Sequence, residues 1–298
     1  MTTAPSTTIG GRPTRGGRRP SLHWLGAMPF LAYVGIFLLL PTLLVAYEAF
    51  FDAAGNFTFA NFDELRQDTI VHSFISSIVL SLESAVVGSL LGGVLTYVVA
   101  TGSPDGLLRR TVTAASGVLA QFGGVTLAFA FLATIGPQGF ITKLIIDAYG
   151  TDISGGWLYE PLSGLVLVYS YFQIPLMVLV FLPAMDGLRP QWREAAESLG
   201  GTTWHYWRHV ALPLLTPAFL GAFLLLFASG FSAYATAAAL VSQGQPLVPL
   251  QIANTFSSEV ILGRENVGKA MALGMIVIVA IVMTLNALLQ RRASRWLR

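Results

Sequence analysis

The sequence predicts an all-α integral membrane protein with six transmembrane helices, and three observations predict it. Only 11% of its 298 residues are charged, against 54% apolar, where a soluble domain carries about 25% charged residues. Six stretches are apolar over the ~20 residues that a helix needs to cross a ~30 Å hydrocarbon core. The basic residues collect in alternate connecting segments, as they do when a chain crosses a membrane repeatedly.

The stretches run at about 26–49, 72–100, 112–136, 162–184, 214–241 and 269–290. The first is longer than a signal-peptide apolar core and is kept as a span. Residues 1–24 before it are rich in Thr, Gly, Pro and Arg, and read as a disordered basic tail. Residues 25–298 form the transmembrane domain. The second stretch is long enough to tilt, or to begin with a surface turn. Its Gly88 and Gly92 form a small-xxx-small pair that lets another helix approach closely. Gly and Pro inside the other stretches do not argue against membrane helices.

Of the 17 Lys and Arg residues, thirteen fall in the N-terminal segment, 101–111, 185–213 and the C-terminal segment. Arg66, Lys143, Arg264 and Lys269 are left for the other set. The split places both termini in the cytoplasm (N-in, C-in). Acidic residues lean the other way, with Asp52, Asp63, Glu64 and Asp68 in the first outer loop. The six Trp residues, at 24, 157, 192, 204, 207 and 296, all sit at or beyond span ends, which suits interfacial anchoring. With no cysteine, disulfides, thiolate metal sites and cysteine nucleophiles are excluded.

One cytoplasmic segment is built unlike a plain linker. From Met185 to Pro213 it reads MDGLRPQWREAAESLGGTTWHYWRHVALP. Pro190 suits a first helical turn, and Arg193 and Glu197 are spaced to pair on one helix face. Gly200 and Gly201 supply a stop and a turn. Thr202 or Thr203 caps a second short helix. Trp204, Trp207 and Val210 recur at three-residue spacing as an apolar stripe, and Pro213 opens the fifth span. The segment is expected to form a helical knob facing another protein or the membrane surface.

The residues of this segment resemble the EAA loop of bacterial ABC-importer permeases. The family pattern is Glu-Ala-Ala, three residues, Gly, nine residues, Ile, one residue, Leu-Pro. Here Glu194, Ala195 and Ala196 lead to Gly200, Val210, Leu212 and Pro213 at that spacing, with Val210 standing for Ile. The resemblance extends over roughly 24–298. It implies a type I (MetI-like) permease fold in a plasma (inner) membrane, with a peripheral first span and a five-span core. It also implies that the loop docks on cytoplasmic ATPases, with Glu194 as anchor and Gly200 as bend. Implied partners are two ABC ATPase subunits, a second and related permease, and an extracytoplasmic solute-binding protein. ATP would be bound by the partner ATPases, and no nucleic acid or cofactor of this chain's own is expected.

Other motifs lead nowhere. Gly263–Lys269 has the spacing of a phosphate-binding loop, but Ala270 replaces the required Ser or Thr and no strand precedes it. His205 and His209 are spaced as zinc ligands on a helix, with no third ligand in view. No nucleophile elbow or metalloprotease helix motif is present. The chain is read as a transport subunit and not an enzyme.

Polar groups inside spans are costly and usually face a bundle interior or a water-filled path. Glu83, Gln121, Gln173, Tyr169 and Tyr234 are therefore the expected substrate path, with Tyr171 and Asn286 as further candidates. The segments 127–131, 231–237 and 288–293 resemble the spermidine/putrescine group of these permeases, which implies a polyamine substrate. The rival readings are an ABC permease for a phosphonate, iron, sulfate or sugar, and an ATP-independent channel or secondary transporter. No inverted repeat of the kind many secondary transporters carry is evident.

Overall fold

The computed structural model describes residues 23–52, 54–150, 163–241, 246–257 and 265–295. The tail expected over 1–24 lies almost wholly outside them. Within them the chain is helical, apart from turns and one isolated bridge between Phe51 and Phe57. Six helical stretches are long and apolar enough to cross a bilayer: Ala27–Glu48, Asp68–Thr101, Gly124–Tyr149, Gly164–Asp186, Thr203–Phe231 and Glu265–Arg291. Packing divides the chain into two units, Met1–Val45 and Ala46–Arg298.

The first unit holds α1 (His23–Val34), a π-helical turn (Gly35–Leu39) and the start of α2 (Leu40–Glu48). Its large apolar side chains are exposed, among them Phe30, Phe37 and Leu43. A helix apolar all round is one that meets lipid or other apolar protein.

After the short α3 (Ala60–Glu64), the second unit is built around α4 (Asp68–Thr101), 34 residues without a break. It packs most extensively on α8 (Ser163–Asp186), and next on α11 (Leu212–Phe231). The close approach to α8 depends on the predicted glycine pair. A methyl group on Gly88 would lie 2.8 Å from the Gln173 Cβ, and one on Gly92 would lie 2.5 Å from the Met177 Cβ. The α4 serines and Thr96 on this buried side donate mostly to carbonyls three or four residues back. Their hydroxyls are thus satisfied without a partner helix. Two apolar clusters fill the bundle. One joins Leu80 to α8 and to Leu127 and Leu240, and the other joins Ala85 to Met177, Leu226 and Phe231. The long α14 (Glu265–Arg295) packs on α11 and on α13 (Val248–Ser257). Lys269 of α14 pairs with Glu48 at 3.0 Å.

Two expected spans are corrected. The stretch 112–136 is two helices, α5 (Leu107–Leu119) and α6 (Gly124–Ile135), followed by α7 (Phe140–Tyr149). The break falls at Gly123-Gly124, where Gly124 takes a φ of +73° that disfavours side chains with a Cβ. The stretch 214–241 also breaks. It ends as α11 at Phe231 and resumes as α12 (Ala235–Leu240).

At its other end this fifth span starts earlier than expected. Pro213 opens no new helix, because α10 (Thr203–Tyr206) runs through a π turn (Trp207–Ala211) directly into α11. The turn is closed by the Leu212 N–H donating to the Trp207 carbonyl. A proline ring collides with the carbonyl four residues back, and widening the helix just ahead of it relieves that clash. The π turn before Pro41 has the same offset, with the Leu40 N–H donating to the Gly35 carbonyl.

Candidate functional site

The segment 187–202 between α8 and α10 forms the knob expected from the sequence. Its first helix, α9 (Pro190–Ser198), begins on Pro190. Arg193 Nε donates to Glu197 Oε1 at 2.9 Å, one turn along. The helix ends in a Schellman motif: Gly200 N–H donates to the Glu197 carbonyl and Gly201 N–H to the Ala196 carbonyl. Gly200 stands at φ +77°, and a methyl group on its Cα would meet nothing within 4 Å, so only backbone conformation demands glycine there. Thr202 then caps α10 in a reciprocal box with His205. His205 Nδ1 accepts from the Thr202 N–H, which leaves that nitrogen committed to the cap. His205 and His209 stack at 6.1 Å. No group of three potential metal ligands exists among the described residues.

Glu194 and Ala195 are exposed, and the Glu194 side chain has no polar partner among the described residues. The predicted apolar stripe divides. Trp204 projects outward, 65% exposed. Trp207 turns inward and meets Tyr97 of α4 edge-on at 5.4 Å. Val210 lines a third direction, an apolar groove of about 340 Å³ shared with Trp192, Ala195, Ala196, Leu199 and Leu214. The π turn at 207–211 breaks the α-helical register on which a single stripe depends. Leu212 is exposed, and Pro213 lies inside the continuous helix.

The two helix breaks, at 120–123 and 232–234, face each other. The Gly124 N–H at the start of α6 donates to Thr236 Oγ1 of α12 at 2.9 Å. Tyr169 of α8 donates its hydroxyl to the Ala233 carbonyl at 2.9 Å, inside the other break. Between them opens a cavity of about 280 Å³, walled by Ala120–Gln121, Gly123–Gly124, Phe172, Ser229 and Ala233–Thr236. Its side chains offer an amide, hydroxyls, a phenol and an aromatic ring, and no charge. The two breaks thus meet around one uncharged cavity lined with hydrogen-bonding groups, at the ends of the third and fifth candidate spans.

Of the predicted path residues, Gln121 and Tyr234 converge on this cavity. Tyr169 stands behind its wall. Gln173 is fully buried, with Nε2 donating to Ser84 Oγ at 3.1 Å and Oε1 without a partner. It keys α4, α8 and α11 together and does not reach the cavity. Asn286 accepts from Gln290 at 2.9 Å beside Gly221, a packing role. Tyr171 packs edge-on against Phe131. Glu83 stands apart, exposed on a different face of α4. Sequence reasoning missed Ser229, Thr236 and Phe172. The adjacent Gly123-Gly124 and the Gly230/Ser232 pair were the available signals of breaks. Of the phosphate-loop look-alike, Gly263 and Arg264 lie outside the described residues. Its Lys269 is bound to Glu48 and Asn266.

Residues 88–295 match the family described as binding-protein-dependent transport system inner membrane component. That is more than half of the chain, and the chain belongs to this family. It is 25% identical over 290 residues to the probable starch degradation products transport system permease protein AmyD of Thermoanaerobacterium thermosulfurigenes, covering 91% of this chain and 94% of that one. It is 28% identical over 155 residues to the sulfate transport system permease protein CysT of Escherichia coli, covering 52% of each. Its fold is that of a chain of a bacterial ABC transporter for the import of the acidic polysaccharide alginate, at TM-score 0.71 and 15% identity, over 92% of this chain and 95% of that one. It also superposes on a chain of the MetNI methionine ABC transporter, at TM-score 0.55 and 17% identity, over 75% of this chain and 95% of that one. The chain is thus a transport component and not an enzyme, with the type I permease fold.

Proposed function

We propose that this permease passes a small solute, handed over by an extracytoplasmic binding protein, through the cavity between its two helix breaks. Two cytoplasmic ATPases and a second permease complete the importer, with both termini of this chain in the cytoplasm. The observation that carries the reading is the 187–202 knob. A helix closed by a glycine turn leads to a capped helix that is one rod with the fifth span, so force on the knob moves the cavity wall. Glu194, Ala195, Ala196, Gly200, Val210, Leu212 and Pro213 belong to this coupling element. Gln121 and Tyr234 contact the solute.

Two observations bear on the solute and pull apart. Glu83, a carboxylate in the middle of a span, favours the polyamine that the sequence suggested, since it offers a cation a counter-charge. The cavity favours a neutral, hydroxyl-rich solute such as a short saccharide, because its lining is uncharged and rich in hydrogen-bonding groups. The starch-product permease among the relatives supports the second reading.

The test is reconstitution with the ATPase, the second permease and the binding protein, followed by ATP hydrolysis with and without spermidine or maltodextrin. Stimulation by one solute that is lost in Glu194→Lys, with membrane insertion intact, supports the importer and picks the solute. A chain that assembles with no ATPase would overturn the reading.

A further inference from the structure

The turn that follows the first span carries an aromatic cluster whose outer rings the bundle leaves bare. Phe57 meets Phe50, Phe51 and Phe59, with ring centroids 6.1, 5.9 and 5.2 Å apart. Tyr47 meets Phe51 at 4.6 Å. Tyr47, Phe57 and Phe59 are each at least 60% exposed. The backbone holds these rings in fixed positions. The Thr58 N–H donates to the Phe50 carbonyl at 2.8 Å, and the Asp52 N–H to the Asn56 carbonyl at 2.9 Å. Asn61, buried in α3, donates its Nδ2 to the carbonyls of Ala49 and Phe51, both at 2.9 Å. Rings already ordered lose little entropy when something covers them, and a contiguous exposed patch marks a contact surface.

Two observations say what covers it. Glu48 is the last residue of the first candidate span, and Lys269 lies near the start of the sixth. Their ion pair at 3.0 Å brings these two span ends to one level, and that level is where hydrocarbon gives way to headgroups. The cluster begins beside it, at Tyr47, and Phe57 is only two ring contacts away. Its last part, α3, packs on α14. The charges are also sorted from the rings. The Asp52 carboxylate is engaged by the N–H groups of Ala54 and Asn56, and Asp63 and Asp68 are exposed further along the chain. Bare rings at a span end, with carboxylates set apart in water, suit the headgroup layer of zwitterionic lipid.

We infer that Tyr47, Phe57 and Phe59 form an interfacial foot that enters the lipid headgroup layer beside the first and sixth spans. In the proposed orientation this is the outer leaflet. The foot fixes the depth of both span ends, because the Glu48–Lys269 pair and the Asn61 clamp tie it to each.

The chain has no cysteine, so one introduced thiol carries a bimane label to one place. Phe57→Cys and Phe59→Cys are compared with Asp63→Cys as the aqueous reference, each in the importer reconstituted in phosphatidylcholine nanodiscs. Quenching by a phosphatidylcholine spin-labelled high on its acyl chain should be at least ~3-fold stronger at 57 and 59 than at 63, and quenching by aqueous iodide weaker by a similar factor, as for side chains seated in the interface. Equal iodide quenching at all three positions, with none from the labelled lipid, overturns the inference. So does protection at 57 and 59 that arises only when the binding protein is added, which would make the cluster a protein-docking surface. Should the variants in the turn fail to assemble, Tyr47→Cys, on the helix itself, decides by the same two quenchers.

Discussion

At the scale of single residues, the knob depends on a backbone angle that few side chains tolerate. Gly200 sits at φ +77° with open space around its Cα, so any cost of substitution is conformational. A left-handed residue with a Cβ costs roughly 1–2 kcal/mol, and a β-branched one more. Asn tolerates that region better than other non-glycine residues. Gly200→Val is therefore expected to abolish solute-stimulated ATP hydrolysis, Gly200→Ala to weaken it, and Gly200→Asn to retain most of it, at equal membrane levels. A flat ranking across the three would mean that this glycine serves contact and not conformation. Outside the membrane, Asp52 shows a milder local constraint. The backbone N–H groups of Asn56 and Ala54 donate to its carboxylate at 2.8 and 2.9 Å. The Asn56 bond leads in holding its pKa below the ordinary value. The charged form is the favoured one, so this turn keeps its bonds at neutral pH and gives them up only in strong acid.

At the scale of elements, the coupling knob and the fifth span are one object. Thr203–Phe231 is 29 residues, about 43 Å of helix, well beyond a ~30 Å hydrocarbon core. The excess is the capped end that carries Trp204 and His205. Thr202→Ala should loosen that end by about 0.5–2 kcal/mol, the usual worth of an N-cap. Faster amide exchange at 203–206, with the rest of α11 unchanged, is the expected signature. Exchange spreading through α11 would show that the cap holds more than its own turn. Much of this element is legible in the sequence. Pro190, the Arg193–Glu197 pair, the two glycines and Thr202 are local signals, and each stands where its chemistry put it. The continuity through Pro213 is not legible, because a proline reads as a helix start until the π turn that accommodates it is seen. The breaks at 120–123 and 232–234 are hidden for another reason. Hydropathy sums over them, and only Gly124 meeting Thr236 across 112 residues shows that they are partners.

At the scale of the whole second unit, the knob reaches the cavity by two routes. The α10–α11 rod ends at the wall formed by Ser229 and Ala233. The other route leaves from the knob's opposite root. Asp186, the last residue of α8, pairs with Arg109 near the start of α5. The far end of α5 is Leu119, followed at once by the cavity residues Ala120 and Gln121. Thirteen helical residues span about 20 Å, and a helix of that length transmits displacement as a rigid element. The pair is partly exposed, at 21% and 39% of its two side chains, so it contributes little to stability, ~0–1 kcal/mol by the usual worth of such pairs. In the proposed coupling, its role is to make α5 follow α8 when the knob moves. Arg109→Ala is accordingly expected to leave assembly and ATP hydrolysis near wild type, and to cut solute moved per ATP by up to about 5-fold, the most that a pair worth ~1 kcal/mol can couple. The exchange of charges in Arg109→Asp with Asp186→Arg should restore most of that ratio, since the clamp needs opposite signs and not their order. A purely structural pair would instead lower complex yield and leave the ratio per assembled complex untouched. Unchanged transport per ATP in both single variants would confine coupling to the α10–α11 rod.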